Sequence, residues 1–192
     1  MNKEVAKQAV QEIFSLFRIY GSADYIGEPV SQIEHMAQAA ELAEAEGYGR
    51  DVILAALFHD IGHLCEHIMD TKQMEGYGVV DHEVLAGIYL REKGFSERIV
   101  KMVASHVEAK RYLTFRYPEY YRMLSEASRY TLTLQGGVMS EAEALVFESD
   151  PDYRLYVQLR RWDDQAKVEH KPLPDMQRYR EMAYLELTGI NE

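Results

Sequence analysis

Apolar residues recur at helical spacing along nearly the whole chain, and no pair of alternating, strand-like segments interrupts them. Residues 3–20 place Val5, Ile13, Leu16 and Phe17 on one helical stripe. Two glycines and a proline then predict a loop at 21–30. Ser31-Gln32-Ile33-Glu34 has the form of a capping box and predicts a helix to about Glu46, ended by Gly47-Tyr48-Gly49. Residues 51–67 read as one apolar helix, and 70–81 as a loop. Helices are expected near 82–93 and 96–110, parted by Gly94, and from Pro118 to about Tyr130. After Gly136-Gly137 come a short helix near 140–148, a long one from Pro151 to about Val168, and a last one beyond Pro172 and Pro174. The pattern predicts an all-α fold, a single helical bundle over residues 1–192, with no repeat, low-complexity stretch or linker.

Composition narrows the setting. At 192 residues and 47% hydrophobic, the chain is long enough for a full core and too apolar for disorder. A net charge of −11 argues against nucleic acid or an anionic membrane as partner. No apolar run approaches the length needed to span a bilayer, and the first residues lack the apolar core of a signal peptide. The one cysteine, Cys65, has no internal partner. These features predict a cytoplasmic protein. A small anionic substrate would need a local cluster of Lys and Arg.

The chemistry concentrates in Leu57-Phe58-His59-Asp60-Ile61-Gly62-His63. Burying His beside Asp in an apolar run is costly unless the pair has partners, and a metal ion supplies them. On a continuous helix His59, Asp60 and His63 share one face. His106 and Lys110 are one turn apart, and Arg160, Asp163 and Lys167 fall on one face of a late helix. Taken singly, His82 reads as a cap or surface residue, and Lys110 and Arg160 as solvated charges. His67 and His170 read as surface histidines. Three or more ligands are needed once a metal is accepted at His59 and Asp60, so His35, His82, His106 and Asp163 gain weight together.

The order His35, His59-Asp60, Asp163 resembles the HD-domain superfamily, whose members are helical and hold metal through an H…HD…D set. With His82 and His106 added, the chain resembles the mixed-valent diiron oxygenase branch. The PhnZ type of phosphonate oxygenase is nearest, and myo-inositol oxygenase more distant. Four segments carry the likeness: Asp24-Tyr25-Ile26-Gly27-Glu28, the run 57–63, Ser105-His106-Val107-Glu108-Ala109-Lys110-Arg111-Tyr112-Leu113, and Arg160-Arg161-Trp162-Asp163-Asp164-Gln165-Ala166-Lys167.

The resemblance implies two irons and dioxygen as co-substrate. One iron would take His35, His59, Asp60 and Asp163, and the other Asp60, His82 and His106, with Asp60 bridging. The resemblance does not decide between Asp163 and Asp164; the shared face with Arg160 favours Asp163. His63, Lys110, Ser128 and Arg160 match phosphonate-binding positions, giving two or three cationic groups and a hydroxyl. Tyr25 and Glu28 match residues that read the substrate's amino end. Tyr25 would sit on the vacant iron position until substrate displaces it, and Glu28 would pair with an ammonium. Asp60, Tyr25 and Glu28 would then be the catalytic residues.

The implied reaction is oxidative cleavage of the C–P bond of 2-amino-1-hydroxyethylphosphonate to glycine and phosphate. An N-methylated analogue such as 1-hydroxy-2-(trimethylammonio)ethylphosphonate is the next candidate, with Tyr25, Tyr112, Phe115 and Tyr117 available as aromatic walls. The alternative is an HD-family metal-dependent phosphohydrolase, needing one metal and leaving His82 and His106 incidental. A helical signalling module with a vestigial site is a third reading.

Overall fold

Twelve α-helices and one 3-10 turn make up the computed structural model, which describes residues 1–25 and 27–190. Ile26, inside the expected loop at 21–30, and residues 191–192 lie outside the described residues. Extended pairing among the described residues is limited to two isolated bridges, Asp24 with Ser31 and Gln73 with Val79. The all-α expectation holds.

Helix α1 (Lys3–Tyr20) starts where the Asn2 side chain accepts from the Glu4 amide at 2.9 Å. Its buried stripe includes Ala6, Val10, Ile13 and Phe17. Helix α2 (Gln32–Ala45) has the expected capping box: Glu34 accepts from the Ser31 amide, and Ser31 Oγ from the Glu34 amide. Helix α3 (Arg50–Phe58) is buried from Val52 through Phe58, which is why it is apolar all round. Then follow α4 (Ile61–Leu64), α5 (His82–Glu92), α6 (Glu97–Ala104) and α7 (His106–Arg116). Next come α8 (Pro118–Met123), α9 (Glu126–Leu134), α10 (Glu141–Glu148), α11 (Tyr153–Gln165) and α12 (Met176–Thr188).

One hydrophobic cluster runs from Ala6 in α1 to Leu187 in α12. Helix α3 lies at its centre, touching α2, α6, α11 and α12. The Phe58 ring stacks on Phe17 at 6.2 Å and meets Phe14 and Phe95 edge-on. Trp162 of α11 is fully buried, and its indole N–H donates to Glu46 at 2.9 Å. This core fixes α2, α3 and α11, the helices that bring His35, His59 and Asp163 together.

Three expected helices are broken in the structure. The run 51–67 stops at Phe58, turns through Asp60 (φ −104°, ψ 10°), and resumes as α4 and a 3-10 turn. The expected helix 96–110 divides at Ser105 (φ −99°, ψ 0°) and continues to Arg116. The expected helix from Pro118 divides at Leu124 and Ser125, where Ser125 caps α9. The first two breaks share a cause. The last carbonyls of a helix have no helical donor. Here Ala56 O accepts from His59 Nδ1, and Val103 O from His106 Nδ1, each at 2.8 Å. Each imidazole is thus oriented by the helix end that precedes it. A hydrophobic pattern cannot register such a break, because residues on both sides remain buried.

Close packing completes the arrangement. Gly62 of α4 sits on the backbone of His82: a Cβ there would lie 1.9 Å from the His82 carbonyl oxygen. Gly78 has φ +95°, and a Cβ on it would meet the His63 ring at 2.5 Å. Neither position tolerates a side chain. Gly62→Ala is therefore expected to cost about 1–3 kcal/mol of stability by overpacking, read as a lower urea midpoint. An unchanged midpoint would show that the two segments separate freely.

Candidate metal centre

His35, His59, His82, His106, Asp60 and Asp163 are all buried, and they gather around Asp60. On one side, His35 Nε2 lies 3.0 Å from His59 Nε2, 3.4 Å from Asp60 Oδ2 and 3.4 Å from Asp163 Oδ1. On the other, His82 Nε2 and His106 Nε2 are 3.0 Å apart, each 3.3 Å from Asp60 Oδ1. The two oxygens of one carboxylate thus face two pairs of imidazoles.

The hydrogen bonds on the far sides of the rings decide what faces inward. His35 Nδ1 donates to Ala166 O at 2.9 Å, as His59 and His106 donate to Ala56 O and Val103 O. A carbonyl only accepts, so these Nδ1 atoms carry hydrogen, and each neutral ring presents a lone pair at Nε2. Lone pairs 3.0 Å apart repel, and Asp60 Oδ2 and Asp163 Oδ1 are buried without any hydrogen-bond donor. The geometry calls for positive charge. Burial opposes a proton on His35, but Asp163 and then Asp60 outweigh it and push its pKa up to about 9. His59 moves the other way, down to about 4, because burial dominates there. A divalent ion answers the same demand on both sides. Ligands at right angles on an ion with bonds of about 2.1 Å stand about 3.0 Å apart, the spacing of both imidazole pairs. Mixed imidazole and carboxylate donors suit iron. The residues fit a pair of such ions.

Asp164, the alternative to Asp163, points away from this cluster. It accepts from Arg160 and from the Tyr120 hydroxyl. His82, read singly as a cap or surface residue, is 4% exposed and turned toward Asp60.

A cavity of about 60 Å³ adjoins the cluster. Lys110, Arg160, Ser128 and His63 line it, as do Tyr25 and Glu28. Lys110 donates to Thr131 Oγ1 at 3.0 Å. Burial, and next the Arg160 charge, pull its ammonium down to about 7. Arg160 is fixed by Asp163, Asp164 and the Tyr120 hydroxyl. Arg160 has its carboxylates, whereas the buried Lys110 ammonium has a hydroxyl as its hydrogen-bond partner. His63 differs from the expectation of a further cation. Its Nδ1 accepts from the Val79 amide at 3.2 Å, and burial, with His82 stacked at 4.0 Å, lowers it to about 3. It is a neutral ring whose hydrogen sits on Nε2. Tyr25 stacks on His35, with ring centroids 4.1 Å apart, and burial holds its phenol well above the usual range.

Tyr112, Phe115 and Tyr117 do not line the cavity; Tyr112 instead donates to Glu148 at 2.6 Å. Lys167 lies past the end of α11 rather than on its face, and its ammonium donates to Glu28 at 2.6 Å. Several cavity residues escape the sequence reading: Thr131, Gln32 and Gln135, the last two with buried, unpartnered Oε1 atoms. Thr131 had a signal, since it stands one turn from Ser128. Gln32 and Gln135 had none, nor did Tyr120, which accepts from Arg160.

Residues 33–133 match the HD domain model, a segment that carries His35, His59, Asp60, His63, His82, His106, Lys110 and Ser128 but neither Tyr25 and Glu28 nor the α11 group. The chain belongs to the HD-domain family. Relatives extend the likeness through α11. An uncharacterised protein of Acanthamoeba polyphaga mimivirus is 47% identical over 94% of this chain and 83% of its own length. The hydroxymethylphosphonate dioxygenase of Gimesia maris is 38% identical, covering 90% of this chain and 85% of that protein. The [1-hydroxy-2-(trimethylamino)ethyl]phosphonate dioxygenase (glycine-betaine-forming) of Leisingera caerulea is also 38% identical, over 86% and 84%. The resemblance to HD-domain phosphonate oxygenases is borne out by these relatives. No helix among the described residues is long and apolar enough to cross a membrane.

In this HD-domain protein the depressed Lys110 pKa makes stability depend on pH. Its folded value, about 7, lies below the unfolded value of about 10.4. The cost of burying its charge is full below about pH 7 and fades as pH rises toward 10.4, where the unfolded chain alone still binds the proton. Lys110→Met is expected to raise Tm of the substrate-free protein, by about 2–4 °C for each kcal/mol relieved. The gain should be largest at or below pH 7 and shrink toward pH 10, as scanning calorimetry at several pH values would record.

Proposed function

We propose that this protein uses two irons and dioxygen to cleave the C–P bond of a small 1-hydroxyphosphonate. The observation that carries the reading is Asp60, whose two oxygens face separate imidazole pairs beside a buried Lys110–Arg160 pair. The phosphonate dioxygenases among the relatives support the reaction class. A one-metal phosphohydrolase leaves His82 and His106 facing each other across 3.0 Å with no task.

In this reading His35, His59, Asp60 and Asp163 hold one iron, and Asp60, His82 and His106 the other. When bound, the irons supply the binding and reduction of dioxygen. The chain's own part is to position and enclose. Lys110 and Arg160 neutralise the phosphonate dianion, and the buried anion returns Lys110 to its charged form. Arg160 is held ready by Asp163, Asp164 and Tyr120, so little order is lost on binding. Ser128 and the Nε2–H of His63 add uncharged donors. Tyr25, stacked on His35, covers the first ion's side of the cavity. Overall R–CH(OH)–PO3 dianion and O2 give R–COO−, hydrogen phosphate and a proton. The C1–H and C–P bonds break, and the two oxygen atoms enter one into the carboxylate and one into the phosphate.

Metal analysis and phosphate release test the assignment. The iron-loaded protein should hold two irons per chain and release phosphate from a 1-hydroxyphosphonate only with dioxygen. Asp60→Ala should lose both irons, whereas His106→Ala should keep most of the first and lose the second. An Asp60→Ala protein with two irons and full turnover would sink the ligand assignment.

Lys110→Ala and Arg160→Ala should retain iron. Each should lower kcat/KM by an amount worth roughly 1.5–3 kcal/mol, the loss of a charge-assisted contact. Undiminished turnover by Lys110→Ala would remove the phosphonate from that end of the cavity.

A further inference from the structure

Beyond the metal ligands Asp60 and Asp163, Glu28 is the one carboxylate bordering the cavity among the described residues. It is the only anion there that can meet a cationic substituent on the substrate. In the structure that role is already taken. Glu28 Oε1 accepts from Lys167 Nζ at 2.6 Å and from Ser125 Oγ at 2.6 Å. The two charged side chains are 9% and 16% exposed, so the pair is largely out of water. A substrate ammonium reaching Glu28 would have to displace Lys167 or sit beside it as a second cation.

The surroundings offer no other cation receptor. A quaternary ammonium binds where several ring faces converge. The rings of Tyr112, Phe115 and Tyr117 lie away from the cavity, leaving Tyr25 and Tyr77, and Tyr25 is stacked on His35. Space is short as well. The loop carrying Glu28 presses on α9, where a Cβ on Gly27 would fall 2.7 Å from Ala127 Cβ.

We propose that the Glu28–Lys167 ion pair is a specificity element that neutralises the cavity's free carboxylate and excludes cationic substituents. The preferred substrate is then a 1-hydroxyphosphonate whose C1 carries hydrogen or a small uncharged group. This rests on the phosphonate reading of the site and reverses the substrate order implied by the resemblance, in which the primary amine came first. Lys167 is a specificity residue acting through Glu28 and touches neither metal nor phosphonate.

The test compares hydroxymethylphosphonate with 2-amino-1-hydroxyethylphosphonate on the iron-loaded full chain, by phosphate release and by anaerobic calorimetric binding. The wild-type protein should favour hydroxymethylphosphonate at least tenfold in kcat/KM. Lys167→Met frees Glu28 and should shift the ratio toward the amine at least tenfold. Glu28→Gln combined with Lys167→Met should cancel that shift, and Lys167→Arg should keep the wild-type order. Iron content should stay at the wild-type level in all three variants. A wild-type preference for the amine, or a Lys167→Met protein with an unchanged ratio, overturns the proposal while leaving the phosphonate reading intact. Where binding occurs without turnover, the affinity ratio decides in the same way. Failure of both probes to bind or react overturns the proposal and the reading beneath it.

Discussion

Four inward-facing imidazoles around one buried carboxylate set the terms for the rest of the structure. With Nδ1 hydrogens spent on carbonyls in three of the rings, Nε2 atoms and carboxylate oxygens crowd together, and Asp60 Oδ2 and Asp163 Oδ1 have no hydrogen-bond partner. Such a cluster is held together only by rigid surroundings or by a cation. The surroundings are the α2–α3–α11 core, the Gly62 contact on His82 and the two helix ends that orient His59 and His106. Fold and site are therefore one construction: the helices break where the ligands need carbonyls.

The same logic extends to the cavity. Lys110 and Arg160 repel in a buried setting, and the substrate-free protein tolerates this by letting Lys110 approach neutrality and by chaining Arg160 to Asp163 and Asp164. Stability is given up at this end of the cluster, as is common at functional sites. Asp163 serves both halves, since Oδ1 faces His35 while Oδ2 accepts from Arg160. The metal side and the anion side are coupled through that single carboxylate.

Much of this was legible in the sequence because it is local or compositional. The capping box at Ser31, the apolar run of α3 and the His59-Asp60 pair each announce themselves. His106 and Lys110 stay one turn apart on α7 although the helix holding them begins ten residues later than expected from 96–110 alone. What escaped is tertiary. The break at Asp60 leaves the hydrophobic pattern untouched. The Nδ1 lone pair of neutral His63 is taken by the Val79 amide, sixteen residues away. The Glu28–Lys167 pair joins residues 139 apart, which no spacing rule connects.

The segment around α11 closes the site from the far end of the chain. Asp163 faces His35, Ala166 O orients the His35 ring, and Lys167 meets Glu28. Asp60, His82 and His106 come together without it. During synthesis, then, the second half-site is assembled from residues already made, while the first waits for the last fifth of the chain to emerge. A nascent or C-terminally shortened chain holds an unfinished centre, so the order of translation itself delays completion of the centre until the enclosing walls are in place.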